Sequence, residues 1–135
     1  MSLASMETYL DVMNFLHEVN AEYKYKRNAQ GEDEFTIIDE HAEITIVIHE
    51  YYMSMELINF IVCENTNKIR GYVEQLNEKS SDWQFHQNKT NIFGKRVFGL
   101  VGCKIEDLFG EFVREYEEFV ELKEHLLKIH LPQIA

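Results

Sequence analysis

Apolar residues recur at helical spacing in three parts of the chain. From Met6 to Asn20 they lie three or four positions apart and form one stripe, which predicts an amphipathic helix. A second stripe begins after the polar cluster Asn65–Asn67, which can cap a helix, and ends before Ser80. The longest stripe runs from Ile105 to Leu131 and stops at Pro132, which predicts about 40 Å of helix. Since a small sheet needs less, we expect part of this helix to protrude or to cover another subunit.

Alternation of apolar and polar residues predicts strands between these helices. Tyr23–Arg27 alternates aromatic and basic residues. Glu43–Tyr51 places three isoleucines on one face and Glu43, Thr45, Val47 and His49 on the other. Further strands are predicted at Phe35–Asp39, Met55–Val62, Trp83–His86 and Arg96–Cys103. The last two flank the polar turn Asn88–Gly94, which indicates a hairpin.

The order of these elements predicts the fold class. One helix precedes three or four strands, a second helix follows, and two strands and the long helix complete the order α-β-β-β-α-β-β-α. Such an order is typical of an α+β fold, in which an antiparallel sheet packs against helices. At 135 residues the chain is expected to form a single domain over residues 6–132. Met1–Ser5 lack periodicity, and we expect them to be a leader or an addition ahead of a native start at Met6.

Acidic residues concentrate in the predicted sheet. Between Arg27 and Lys68 there are nine acids and no base, so we expect an acidic sheet face. The formal net charge of the whole chain is −11. Because phosphate contacts need clustered Lys and Arg, this charge disfavours nucleic acid and favours a basic protein or peptide as the partner. The alternative is that the charge only keeps a small protein soluble.

Residue types that are common in catalytic and metal sites lack the spacing that such sites need. His41 and His49 share strand parity but are about 26 Å apart in an unbroken strand. His125 and His130 are five positions apart, whereas zinc-binding helices place two histidines four apart. The sequence has no phosphate-binding loop and no nucleophile motif. We therefore predict no catalytic residue, no metal and no cofactor.

Two cysteines bear on the compartment. Cys63 and Cys103 lie in apolar runs and form no paired motif, which indicates reduced thiols in a cytoplasmic protein. No apolar run approaches the length of about 18 residues that a membrane-spanning helix needs, so we predict no membrane association.

Taken together, the elements resemble the YbjN-like and type III secretion chaperone-like superfamily. The resemblance is carried by the opening helix with Leu10, Met13 and Leu16, the apolar meander Phe35–Val62, the helix Ile69–Leu76, the hairpin Trp83–Cys103 and the closing helix Ile105–Leu131. It covers nearly the whole chain and implies an α+β sandwich, dimerisation, and binding of a polypeptide without catalysis. It transfers no functional residue, because it rests on element order and acidity.

The first functional hypothesis is a protein- or peptide-binding module, chaperone-like or regulatory and without catalysis. An extended, basic segment would pair with a sheet edge or lie across a sheet face. The predicted contact residues are Glu43, Thr45, His49 and Tyr51, with Trp83 and Phe85 included if they are exposed.

The alternative is a small-molecule-binding domain or a small enzyme with a site near the hairpin loop 88–94. Asn88, Asn91 and Gly94 are its candidate anion contacts, and the same residues also make an ordinary turn. A third hypothesis, an acidic immunity or DNA-mimic protein, shares the charge evidence with the first.

Overall fold

Three helices and six strands make up the part of the chain that the structure describes. The computed structural model describes residues 3–62, 67–79, 82–87, 91–100, 102 and 104–129. The helices are α1 (Leu3–Glu18), α2 (Asn67–Lys79) and α3 (Ile105–Ile129), and the strands are β1 (Tyr23–Arg27), β2 (Asp33–Ile38), β3 (Glu43–Ile48), β4 (Tyr52–Val62), β5 (Gln84–Gln87) and β6 (Asn91–Gly99). The predicted α+β class is confirmed, and four strands precede α2, where three or four were predicted.

The strands form one antiparallel sheet in the order β1-β2-β3-β4-β6-β5. The first four make consecutive hairpins, and the chain then passes through α2 and β5 before β6 returns to pair with β4. The parity predicted for β3 is confirmed, since Ile44, Ile46 and Ile48 are buried and the residues between them are partly exposed. Strands β1 and β5 are the two edges of the sheet.

All three helices pack on the same face of the sheet. One core joins residues of α1 (Val12, Leu16), α2 (Tyr72, Leu76) and α3 (Phe109, Phe112, Phe119) to inward-facing strand residues such as Phe35, Ile46, Met55 and Leu57. Full burial of each large apolar side chain contributes about 1.5–3 kcal/mol, so this core holds the helices on the sheet. The strand residues that alternate with these face away from the helices.

Aromatic side chains fill the core beneath β5. Trp83 and Phe85 are each 2% exposed, and their rings lie 5.7 and 4.8 Å from the ring of Phe119. They are therefore not available as partner contacts. The ring of Phe85 lies over Gly94, where an added Cβ would be 2.6 Å from it. Asn91 and Gly94, predicted as turn residues, lie in β6 instead. Gly94 pairs with Phe85, and its lack of a side chain leaves room for the Phe85 ring.

Polar contacts anchor α3 along its length. Near its start, Arg96 of β6 donates to Glu111 (3.1 Å) and to Glu115. Further on, the Tyr116 hydroxyl donates to Asp39 in the β2–β3 turn (2.6 Å), and the Lys123 ammonium donates to the carbonyl oxygen of His41 (2.8 Å). Up to Lys123, therefore, the long helix lies on its own sheet.

Several boundaries differ from the predicted ones. Helix α1 begins at Leu3, so residues 3–5, predicted to lie ahead of the fold, are helical.

Cys63, Cys103 and residues 130–135 lie outside the described residues, and the predictions that concern them stay predictions. No helix in the described ranges is long and apolar enough to cross a bilayer.

Candidate functional site

Within the part of the chain that the structure describes, no helix covers the second face of the sheet. We call it the open face. It is made by alternate residues of all six strands, which include Lys24, Lys26, Glu34, Thr36, Ile38, Glu43, Thr45, Val47, Tyr52, Ser54, Glu56, Ile58, Gln84, Lys95 and Val97. Two of the predicted contact residues, Glu43 and Thr45, lie on it. In the cross-strand register, Glu43 stands between Ile38 and Ile58.

Charges of both signs alternate on the open face. Lys26 lies 3.2 Å from Glu34, and Lys95 lies 3.7 Å from Glu56. With Lys24 and Glu43 added, the face has three bases and three acids. The expectation of an acidic face is therefore wrong. Among the other acids that the structure describes, Asp33 faces the helix side of the sheet, and Glu32, Asp39, Glu40 and Glu50 lie in the turns.

Apolar side chains lie exposed between these charges. Ile38 is 60% exposed, Val97 54% and Tyr52 43%. Val97 and Val47 flank Ser54 in one cross-strand row. The open face therefore combines exposed aliphatic and aromatic side chains with two ion pairs.

The other two predicted contact residues lie at the end of the β3–β4 hairpin. His49 and Tyr51 belong to the turn rather than to β3, and the His49 N–H donates to the carbonyl oxygen of Tyr52 (2.8 Å). Tyr51 is 63% exposed. Because β3 has six residues, about 20 Å separates this turn from Glu43. The four predicted residues thus divide between two ends of one surface.

His49 joins three elements through its side chain. Its Nδ1 contacts a Glu32 carboxylate oxygen, its Nε2 lies 3.1 Å from the Ser54 hydroxyl, and its ring stacks on Tyr52 at 4.2 Å. A carboxylate, an imidazole and a hydroxyl in this order are the parts of an acyl-transfer triad. Here, however, Ser54 is 3% exposed and pairs with Val47 in mid-ladder, where an acyl substrate cannot reach it. The network instead ties the β1–β2 loop to the β3–β4 turn.

The two edges of the sheet differ in their backbone groups. At β5, the side-chain amide of Asn77 donates to the carbonyl oxygen of Phe85 (3.2 Å) and accepts from the Phe85 N–H (2.7 Å). This side chain occupies the positions that a further strand would use, so it closes that edge at Phe85. Sequence reasoning missed Asn77, because a helix residue gives no local signal that it reaches a strand edge.

The β1 edge is open. The Asn28 N–H donates to the Glu32 carbonyl oxygen (2.9 Å), which makes these two residues a hydrogen-bonded pair. Such pairs alternate along an antiparallel ladder, so Lys24 and Lys26 bond to β2, whereas Tyr23, Tyr25 and Arg27 direct their backbone groups outward. No backbone–backbone hydrogen bond from the described residues reaches those outward groups.

Helix α1 runs beside this open edge. The Tyr23 hydroxyl contacts the Met13 sulfur at 2.9 Å, and the Tyr25 ring lies 5.6 Å from that of Tyr9. Met6, Leu10 and Met13 follow one another at spacings of four and three, so they share the flank of α1 on the β1 side. Met6 is 51% exposed and Leu10 57%. We call Met6, Leu10, Met13, Tyr23 and Tyr25 the apolar shelf.

Charge and burial perturb three groups where the β2–β3 turn meets α3. Burial, followed by the hydrogen bond to Asp39, raises the pKa of Tyr116. Burial alone would raise the pKa of Asp39, but the bonds from Tyr116 and two backbone N–H groups outweigh it and lower that pKa. Burial lowers the pKa of Lys123. The Lys123 Nζ lies 5.3 Å from the centre of the Phe60 ring. These contacts hold the β2–β3 turn against α3.

Two cavities bear on the small-molecule alternative. One of about 410 Å³ lies between α1 and the start of α3, and one of about 380 Å³ lies beside His49 under the β1–β2 loop. Both are lined mainly by charged and polar residues, unlike the apolar pockets that usually hold small molecules. Residues 88–90 of the predicted loop site lie outside the described residues. Within the described ranges, no three metal-ligating side chains come together.

Comparison with protein-family models, with curated proteins and with solved structures found no match for this chain. The resemblance to the YbjN-like and secretion chaperone-like proteins therefore stays a prediction. A functional proposal for this chain therefore depends on two structural features, the open face and the β1 edge.

Proposed function

We propose that this protein binds an extended segment of another polypeptide through the uncovered side of its sheet, in a chaperone-like or regulatory role without catalysis. The observation that carries the proposal is that the helices cover one face of a six-stranded sheet and leave Ile38, Val97 and Tyr52 exposed on the other. Exposed aliphatic and aromatic side chains interspersed with two ion pairs support this proposal, because protein interfaces combine apolar and polar contacts. We place this activity in the cytoplasm, as the isolated cysteines predict.

Each predicted contact residue has a part in this proposal. Glu43 and Thr45 lie within the open face, and Tyr51 and the His49 network mark its end at the β3–β4 turn. Because the acids of the open face are matched by lysines, the face itself does not carry a preference for a basic partner. The charges of the open face would determine the register in which a segment binds, and they would not select a segment by its net charge.

A peptide library tests the proposal with a matched pair of variants. Peptides selected on the wild-type protein from an unbiased library are measured against Val97→Lys, on the open face, and against Val113→Lys, on the outer side of α3. Both valines are exposed, at 54% and 44%. Loss of an apolar contact in mid-interface costs about tenfold or more in affinity. Of this pair, we expect that loss for Val97→Lys and not for Val113→Lys. A library that yields no binder, or binders indifferent to Val97→Lys and to every change at β1, would overturn the proposal.

A further inference from the structure

Strand β1 has the geometry of a strand that accepts another strand. Outward N–H and C=O groups at Tyr23, Tyr25 and Arg27 can form up to about six hydrogen bonds with an extended segment. The opposite edge cannot do so at Phe85, where the Asn77 amide occupies both groups. The sheet thus has one closed edge and one open edge.

The surroundings of β1 specify the side chains of such a segment. On the helix side, alternate residues of an added strand would lie on the apolar shelf, where Leu10 is 57% and Tyr25 40% exposed. On the open-face side, the residues between them would lie beside Lys24 and Lys26. Lys24 makes no ion pair within the described part of the chain, and Lys26 is 70% exposed beside Glu34. A segment in which apolar and acidic residues alternate would place its apolar side chains on the apolar shelf and its carboxylates beside Lys24 and Lys26.

We propose that β1 takes up, as a seventh strand, an extended segment in which acidic and apolar residues alternate. This inference rests on the proposed function and names the chemistry of the partner. It differs from the basic partner that the sequence predicts, because the charge at this edge is local. Residues 23–27 include three bases and no acid, in a chain whose net charge is −11.

A second copy of this chain is disfavoured at the edge in the register centred on Tyr25. Antiparallel pairing of two β1 strands about Tyr25 places Lys24 of each copy directly opposite Lys26 of the other. Like charges at directly opposed positions destabilise a strand pair, and lysines on an edge strand protect against such self-pairing. The same two lysines select an acidic segment from a foreign chain.

Binding of a synthetic peptide to the full chain tests the assignment. The probe is a capped peptide with three glutamates alternating with two valines between glycine-serine flanks, and its lysine counterpart is the charge control. We expect the glutamate peptide to bind, and Lys24→Glu to weaken it about tenfold while improving the lysine peptide. Lys79→Glu makes the same charge change on α2, beside the opposite edge, and is expected to leave both affinities within about twofold.

Backbone methylation separates strand addition from simple charge attraction. N-methyl groups at the peptide residues whose N–H groups face β1 are expected to abolish binding, and N-methyl groups at the intervening residues are expected to be tolerated. Bound peptide is also expected to slow amide hydrogen exchange at Tyr23 and Tyr25, whose N–H groups point outward.

The outcomes distinguish this inference from the proposed function. If library-selected peptides lose affinity with Val97→Lys but not with Lys24→Glu, and leave exchange at Tyr25 unchanged, the edge assignment fails and the proposed function stands. If the glutamate and lysine peptides bind equally or not at all, the acidic segment is excluded. Binding that tolerates every N-methyl group would show that no seventh strand forms.

Discussion

The side-chain amide of Asn77 hydrogen-bonds both backbone groups of Phe85, accepting from its N–H at 2.7 Å and donating to its carbonyl oxygen at 3.2 Å. A helix residue thereby takes the place of a neighbouring strand at the β5 edge. No backbone group of the described residues bonds to the outward groups of β1 in the same way, so the two edges of the sheet are unequal. This inequality is the reason why we propose β1, and not β5, as the edge that pairs with an incoming segment.

Replacement of Asn77 by Ala is expected to open the β5 edge. The two lost hydrogen bonds reduce the free energy of unfolding by about 1–2 kcal/mol, and the freed groups of Phe85 promote association between copies. Chemical denaturation measures the first effect and sedimentation velocity the second. Gln75→Ala, at an exposed position of the same helix, serves as the control. An Asn77→Ala protein as stable and as monodisperse as this control would show that Asn77 does not protect the edge.

Substitution of Gly94 by Ala is expected to disturb the core. An added Cβ would lie 2.6 Å from the ring of Phe85, which is buried beneath Trp83 and Phe119 and cannot withdraw freely. Such overpacking costs about 1–3 kcal/mol. Gly99→Ala, also in β6, meets no atom within 4 Å and is expected to change stability by less than about 0.5 kcal/mol. Thermal denaturation measures the midpoints of the two variants. Equal midpoints for Gly94→Ala and Gly99→Ala would contradict the packing of Phe85 over Gly94.

Removal of the Tyr116 hydroxyl is expected to destabilise the protein in a pH-dependent way. The Tyr116→Phe change deletes the 2.6 Å bond to Asp39 and costs about 1 kcal/mol at neutral pH. The pKa of Asp39 lies below its ordinary 3.8, so its contribution is present above that pH and is lost as pH falls through the folded-state pKa. The pKa of Tyr116 lies above its ordinary 10.0, so its contribution is complete below pH 10 and declines at higher pH.

The stability difference between wild type and Tyr116→Phe should therefore form a plateau from about pH 4 to about pH 10 and narrow on both sides. Urea denaturation across this range measures it. The control is Tyr51→Phe, at a tyrosine that is 63% exposed in the β3–β4 turn, for which we expect no effect at any pH. A difference that does not vary with pH would mean that the Asp39 contact contributes nothing.

Replacement of His49 by Phe is expected to release the β1–β2 loop. Phenylalanine keeps the stacking on Tyr52 but removes both polar contacts of the ring, leaving the buried Ser54 hydroxyl unsatisfied at a cost of about 1–3 kcal/mol. Because the two residues share one contact, the double change His49→Phe/Ser54→Ala should cost less than the sum of the single changes. Denaturation of wild type, the two single variants and the double variant provides the cycle. His86→Phe, at an exposed position of β5, is the control. If the double change costs as much free energy of unfolding as the two single changes added together, His49 and Ser54 are not in contact.

Much of the fold could be predicted from local pattern. The alternation of Glu43–Ile48 decides which residues face the helices, and the stripe that begins at Ile105 decides the course of α3. The cross-strand register could not be predicted, because it depends on pairing between segments distant in the chain. For that reason nine acids looked like an acidic face, although Lys26 and Lys95 stand beside two of them.

The candidate site was predicted only in part for the same reason. Glu43 and Thr45 have the predicted orientation, because strand parity is a local property. His49 was assigned to the strand, but the tight turn begins there and its ring bonds to Glu32 from another hairpin. Asn77 and the exposed flank of α1 matter only because of the elements that lie beside them. No pattern within one segment shows which strand will be the edge.

The most direct test of the central claim, that the uncovered side of the sheet binds an extended polypeptide, is the affinity of library-selected peptides for four variants. Fluorescence anisotropy would compare Val97→Lys and Lys24→Glu with their controls Val113→Lys and Lys79→Glu. We expect at least one of the first two to lose about tenfold or more while both controls stay within about twofold of wild type. Equal affinities for all four variants, or the absence of any saturable binder, would contradict the claim.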